Sequence, residues 1–299
     1  DAFSAGKHVL CEKPIAVTPA IAAELVQAAR DAGLVFGIVH NYLFFPEYIK
    51  IKELLQAGVI GDLRVATLHF LGVIDYPGAA EYRDMWRHGM EAGGGVLTDM
   101  IHAVYLAEWL YDAPADQVMA FVDAPRYRAR RPVVEDLALV QAAFPTGYAA
   151  IHMGWGEGVG GVDLSGSAGH LRMRYERYHT SGFNRPAELY TVDSAWNRQD
   201  HALDNLPEHM QNIARSFTRL WADFRDAIRE KRQPVAPAEM GQRALELTLG
   251  AYLSAVTGCV VELPLNPASP VYQKGIDGLA DVDVWPKSRT REAGLFGVL

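Results

Sequence analysis

The chain has 299 residues, 49% of them hydrophobic, a formal net charge of -8 and a pI near 5.7. This length and apolar content allow one large or two ordinary domains around a packed core. The acidic balance, with a single short basic cluster from Arg126 to Arg131, excludes a nucleic-acid backbone as partner. Two cysteines, Cys11 and Cys259, make neither a disulfide framework nor a cysteine-rich zinc site, and no apolar run is long enough for a membrane span. A reducing, cytoplasmic setting is therefore expected.

Asp1 to Lys7 reads as the last turn of a helix already under way, with no initiating Met, so the chain is expected to be a fragment. Lys7 to Glu12 is a short buried strand. Thr18-Pro19 then supplies an N-cap and a first-turn proline for a helix that ends at Gly33 and turns Ile21, Leu25, Ala28 and Ala29 inward. Leu34 to Val39 is a second apolar strand, which completes a right-handed parallel crossover. A helix over Pro46 to Gln56 follows, with Tyr48, Ile51, Leu54 and Leu55 as its buried face, and then a strand over Leu63 to Gly72. An aromatic stretch through Tyr76, Tyr82 and Trp86 leads to Gly93-Gly94-Gly95 and one helix from Val96 to Tyr111.

Beyond Gln117 the pattern changes to short strands: Gln117 to Asp123, Asp136 to Phe144, Tyr148 to Trp155, Val162 to Ser167 and His170 to Tyr175. Pro145-Thr146-Gly147 is a compact hairpin turn, and the glycine-dense Gly154 to Gly161 reads as a flexible hairpin. Glu176 to Leu206 is long and polar, which suggests a lid, an interface arm or disorder. Two helices close the pattern, one carrying Phe217, Leu220, Trp221, Phe224 and Ile228 at helical spacing, the other running from Pro237 to Gly258. The fold class is α/β, with α+β character in the larger part: a remnant of a parallel sheet, then a domain built on a large, mostly antiparallel open sheet.

Several residues could carry chemistry. Lys13 sits at the carboxyl end of the first strand, the edge where open α/β sheets bind ligands, and Pro14 removes a backbone donor beside it. The plain alternative is a surface lysine lying over the sheet edge. Asp99 and His102, three apart, share a helix face, and an acid beside an imidazole raises its pKa and orients it for proton transfer. A dipole-favoured carboxylate and a satisfied histidine would look the same. The glycine triplet allows close backbone approach by a ligand. Tyr105 lies near His102 and could line the same pocket or belong to the core. Asn41, after the second strand, could hold a cofactor amide or a sugar hydroxyl, or serve only the turn. Trp86 could cover a sugar face. A metal centre on Asp99, His102 and another histidine competes with this reading, but no two histidines lie four apart within the motif, so no metal is expected.

The run from Ala5 through Glu12-Lys13-Pro14, the glycine-led helix with Asp99 and His102, and the tail from Val235 through Leu263-Pro264-Leu265 resemble the Gfo/Idh/MocA oxidoreductase family over nearly the whole chain. The resemblance implies an N-terminal Rossmann domain binding NAD or NADP and a C-terminal α/β domain that supports substrate binding and oligomer contacts. Residues 1–41 would be the end of the first, and 42–299 the second. Lys13 would bind and polarise the reacting hydroxyl, His102 would exchange its proton, and Asp99 would position substrate or imidazole. Glu12, Lys13 and Pro14 join Asn41 on the cofactor side, with Trp86 and Tyr105 toward substrate.

Two departures stand out. The histidine comes one residue earlier than the family spacing, and no strand is followed by G-x-G-x-x-G, so the chain as given is expected to hold dinucleotide poorly. The expected function is hydride transfer between a nicotinamide cofactor and a small molecule, a sugar, polyol or related cyclic alcohol, by a homo-oligomer. Competing expectations are a non-catalytic binding or oligomerisation module, and NAD-dependent elimination at a glycoside.

Overall fold

A computed structural model describes residues 1–71, 94–124, 134–155, 160–177, 184–203 and 209–282. Strand β1 (Val9–Cys11), helix α1 (Pro19–Asp31) and strand β2 (Phe36–Ile38) form the expected crossover, with β1 and β2 paired in parallel. Thr18 caps α1 by accepting the Ile21 N–H at 3.1 Å, and Pro19 occupies a first-turn position where its missing donor costs nothing. The buried face of α1 is Ala22, Val26 and Ala29; Ile21 and Ala28, expected inside, are exposed. This face packs on a later helix, α6 (Ala238–Thr257).

A 3-10 turn over Asn41–Phe44 leads into α2 (Pro46–Gln56), which buries Tyr48, Ile51 and Leu54 as its period requires. After β3 (Leu63–Phe70), the helix expected as one piece is two, α3 (Val96–Asp99) and α4 (Ile101–Tyr111), broken at Met100. The remaining strands are β4 (Gln117–Asp123), β5 (Leu137–Phe144), β6 (Gly147–Gly154), β7 (Gly161–Gly166), β8 (Gly169–Arg177), β9 (Asn184–Asp193), β10 (Arg198–Asp200) and β11 (Val261–Glu262). Helix α5 (His209–Glu230) precedes α6, and α7 (Pro270–Lys274) follows β11. Gly258 ends α6 with a positive φ of 72°, the left-handed cap that glycine accepts without strain.

These nine strands, β3 to β11, make one sheet in the order β10-β9-β8-β7-β3-β6-β5-β4-β11, in which β3 and β6 are the one parallel pair. Two expectations change here. β6 and β7, on either side of the expected hairpin from Gly154 to Gly161, do not pair with each other, because β3 lies between them. Within the polar stretch after Glu176, strands β9 and β10 extend the sheet edge, an ordered arrangement that the sequence did not specify. One sheet face packs on α4 and α6 through Ala66, Leu68, Ala120, Ala142 and Ile151. On the other, Val65, Phe121, Leu139 and Tyr148 are exposed. Among the described residues no helix is long and apolar enough to cross a membrane.

Candidate active site

The site forms where the carboxyl ends of β1 and β2 meet the start of the glycine-led helices. Lys13 follows β1 directly, and its peptide bond to Pro14 is cis. Its Nζ donates to the backbone carbonyl of Asp99 at 2.6 Å and stands 3.6 Å from the Asp99 Oδ1. That carbonyl is available because of the break at Met100. In an unbroken helix it would accept the Ala103 N–H, which here goes to Met100 instead. The other Asp99 oxygen, Oδ2, accepts the indole N–H of Trp155 at 3.3 Å, from the end of β6.

The start of α3 is clamped from behind. Glu135 Oε1 accepts the Leu97 N–H at 3.0 Å and the Tyr252 hydroxyl at 2.6 Å, and the Glu135 carbonyl accepts the Val96 N–H. Burial pushes the Glu135 carboxyl up to about 7. A Cβ on Gly95 would come within 2.2 Å of the Glu135 carbonyl oxygen, and Gly94, at φ 137°, has Thr98 Oγ1 at 2.3 Å from such a position. The glycines thus admit the protein's own Glu135 and Thr98 rather than a ligand; Gly93 lies outside the described residues.

His102 does not touch Asp99. Its Nδ1 lies 2.7 Å from the Tyr105 hydroxyl, and its ring stacks on Tyr42 with centroids 4.3 Å apart. The expected rise in its pKa is reversed: burial, then the Lys13 ammonium and the His40 ring, hold it well below the usual histidine range. Burial outweighs any rise from the acid three residues away, and the helix breaks between the two. His102 keeps some surface, yet the crowded rings around it desolvate the imidazole, so it is neutral near pH 7.

The other candidates divide. Glu12 is exposed and receives the Lys13 backbone N–H at 3.3 Å. Tyr105 is fully buried, and its hydroxyl meets His102 and the Tyr42 N–H. Asn41 is buried with its amide nitrogen directed at Ser216 of α5. Trp86 lies outside the described residues. Sequence reasoning assigned no role to His40 or Trp155. His40 is 1% exposed, stacks on Tyr105 with centroids 3.7 Å apart, and has a buried Nδ1 without a hydrogen-bond partner among the described residues. Burial, with Lys13 and Arg243 nearby, lowers its pKa to about 3. Its signal was its place, directly after β2 at the ligand edge of a parallel pair.

Comparison with known proteins shows the family of the chain. Residues 52–263 match the profile of the Gfo/Idh/MocA family described as its C-terminal alpha/beta domain. The chain belongs to the Gfo/Idh/MocA oxidoreductases. Residues 1–40 match the NAD-binding Rossmann fold of the same family. Among other family members, 1,5-anhydro-D-fructose reductase of Ensifer adhaerens is 31% identical over 268 residues, covering 88% of this chain and 74% of that protein. D-xylose dehydrogenase of Paenarthrobacter nicotinovorans is 36% identical over 109 residues, which span 36% of this chain and 28% of the dehydrogenase. Two solved structures share the Gfo/Idh/MocA fold. An oxidoreductase domain protein from Kribbella flavida superposes with a TM-score of 0.74 at 22% identity, over 88% of this chain and 76% of its own. The aldose-aldose oxidoreductase of Caulobacter crescentus gives 0.69 at 24% identity, over 88% and 74%.

Proposed function

We propose that this protein transfers a hydride between NAD or NADP and a hydroxyl-bearing carbon of a sugar, polyol or related cyclic alcohol. One observation carries the reading: the Lys13 ammonium, at the carboxyl end of a parallel strand, reaches the break between two helices at 2.6 Å from Asp99, in the field of a neutral His102. The named activities of the relatives, a sugar-derived ketone reductase and a pentose dehydrogenase, agree with such a substrate.

A nicotinamide fits this edge, since the buried Nδ1 of His40, just beyond the end of β2, has no partner among the described residues. Glu12, Lys13, Pro14 and His40 are the residues that would border it, and when bound it accepts or supplies the hydride. The chain's own residues then act on the substrate oxygen. Lys13 stabilises negative charge as it develops there, worth more in a partly dry site than in water. Lys13 exchanges the hydroxyl proton, His102 hydrogen-bonds the same oxygen, and Asp99 holds the lysine in place. The protein is further proposed to be cytoplasmic and homo-oligomeric through the open sheet face with Val65, Phe121, Leu139 and Tyr148.

A panel of sugars and polyols, each offered with NAD+ and NADP+ to the full-length gene product and followed by nicotinamide absorbance, tests the reading. Turnover of at least one cyclic substrate is expected. Tight cofactor binding with no turnover across the panel, in either direction, would sink it.

A further inference from the structure

The role of His102 depends on which ring nitrogen carries hydrogen, and its buried neighbours decide that. Among the described residues the Tyr105 hydroxyl meets two groups, the Tyr42 backbone N–H at 3.2 Å and His102 Nδ1 at 2.7 Å. The amide can only donate. One lone pair of the hydroxyl is therefore taken, and its single proton has one acceptor in reach, the Nδ1 lone pair. The reverse arrangement, with Nδ1–H donating, would set two donors on the phenolic oxygen and leave its own proton buried without an acceptor, the expensive outcome.

The surrounding rings offer no alternative. His40 lies flat on Tyr105, 12° from parallel, and Tyr42 lies on His102 at 22°, so both present π surface rather than an acceptor atom in the plane of the hydroxyl. Burial, the largest cause, holds the Tyr105 phenol well above its ordinary pKa, so it keeps its proton.

We propose that Tyr105 is a positioning residue that fixes His102 as the Nε2–H tautomer, so that the imidazole meets the reacting oxygen as a hydrogen-bond donor and the exchanged proton passes through Lys13. This rests on the hydride-transfer reading above. In the reducing direction the carbonyl carbon gains a hydride from the reduced nicotinamide, and the C=O π pair becomes a lone pair on oxygen. That oxygen takes a proton from the Lys13 ammonium, which becomes the neutral amine. His102 keeps its Nε2–H throughout. Oxidation reverses each transfer, the amine receiving the hydroxyl proton.

Long-range nitrogen–proton NMR correlations of the histidine rings, with the His102 signals assigned by their loss in His102→Asn, test this without any turnover. The unaltered chain at neutral pH is expected to show the Nε2–H pattern. In Tyr105→Phe, which keeps the stacked ring and removes the hydroxyl, a mixture of tautomers is expected, with kcat reduced about tenfold and KM within about twofold. An Nδ1–H or doubly protonated His102 in the unaltered chain overturns the inference, whatever Tyr105→Phe does, even if that variant fails to fold. An unchanged tautomer in folded Tyr105→Phe also overturns it. The Nε2–H pattern in a protein that turns over no substrate supports the tautomer assignment and counts against the hydride-transfer reading instead.

Discussion

The two sides of the site are built on opposite principles. On one, Lys13 and Asp99 form an ion pair with 19% and 15% of their side-chain surfaces accessible and 3.6 Å between them. On the other, His40 and Tyr105 are sealed at 1% and 0% exposure, stacked, and held neutral. Moving an ion from water into a protein interior costs several kcal/mol even after relaxation. The charged pair accordingly stays near the rim, whereas the rings that govern proton position can sit deeper because none carries a charge. The contrast separates charge stabilisation, which belongs to the rim, from proton geometry, which belongs to the stack.

The largest expected effect comes from removing the rim's charge. Lys13→Met should lower kcat/KM about 10²- to 10⁴-fold, while unfolding in urea changes by no more than about 2 kcal/mol. A variant that kept its activity would break the division just drawn. The buried side makes a prediction about stability. Glu47, Glu108 and Glu135 are each pushed up to about 7, with burial the largest cause. A carboxyl whose folded pKa lies above its unfolded value of about 4.5 binds its proton more tightly when folded. Its contribution is complete below about pH 4.5 and is lost as pH rises through about 7, at most about 3 kcal/mol for each group. Urea midpoints should therefore fall between pH 5 and pH 8, and Glu47→Gln should remove Glu47's share of that slope. The smallest effect is at Asp99. Its Asn variant keeps the shape that receives Trp155 and Lys13 but loses the charge, and about a tenfold drop in kcat/KM is expected. A drop as deep as that of Lys13→Met would place the carboxylate in the chemistry rather than beside it.

Much of this was legible from residue order. Thr18-Pro19 marked the start of α1, the period of Tyr48, Ile51 and Leu54 gave α2, and Lys13 at a strand end together with Asp99 pointed to the corner where the two meet. The break at Met100 was not legible, because Val96 to Tyr111 contains no Gly or Pro to mark it. What uses the break is tertiary, the Lys13 ammonium arriving from 86 residues earlier to take the Asp99 carbonyl. The same holds for His102, whose partner proved to be Tyr105 one turn on rather than the acid one turn back. The stack of His40 on Tyr105 joins two distant stretches, and neither carries a local pattern that announces it. Sheet order was likewise hidden, since alternation shows which face of β3 is buried but not which strands flank it.

The placing of β3 between β6 and β7 has a consequence for how the chain reaches its native form. Ala66 pairs with Ala149 on one side and Leu164 on the other, so the middle of the sheet cannot zip together until both later segments have come back to it. Loops of that size must close before any pairing rewards them, which slows formation of the centre relative to the β4–β5–β6 meander. In pulse-labelled hydrogen exchange, the amides of Ala66 and Leu68 should gain protection after those of Val140 and Ile151. The strand that anchors the sheet in the finished molecule is then among the last to be committed to it.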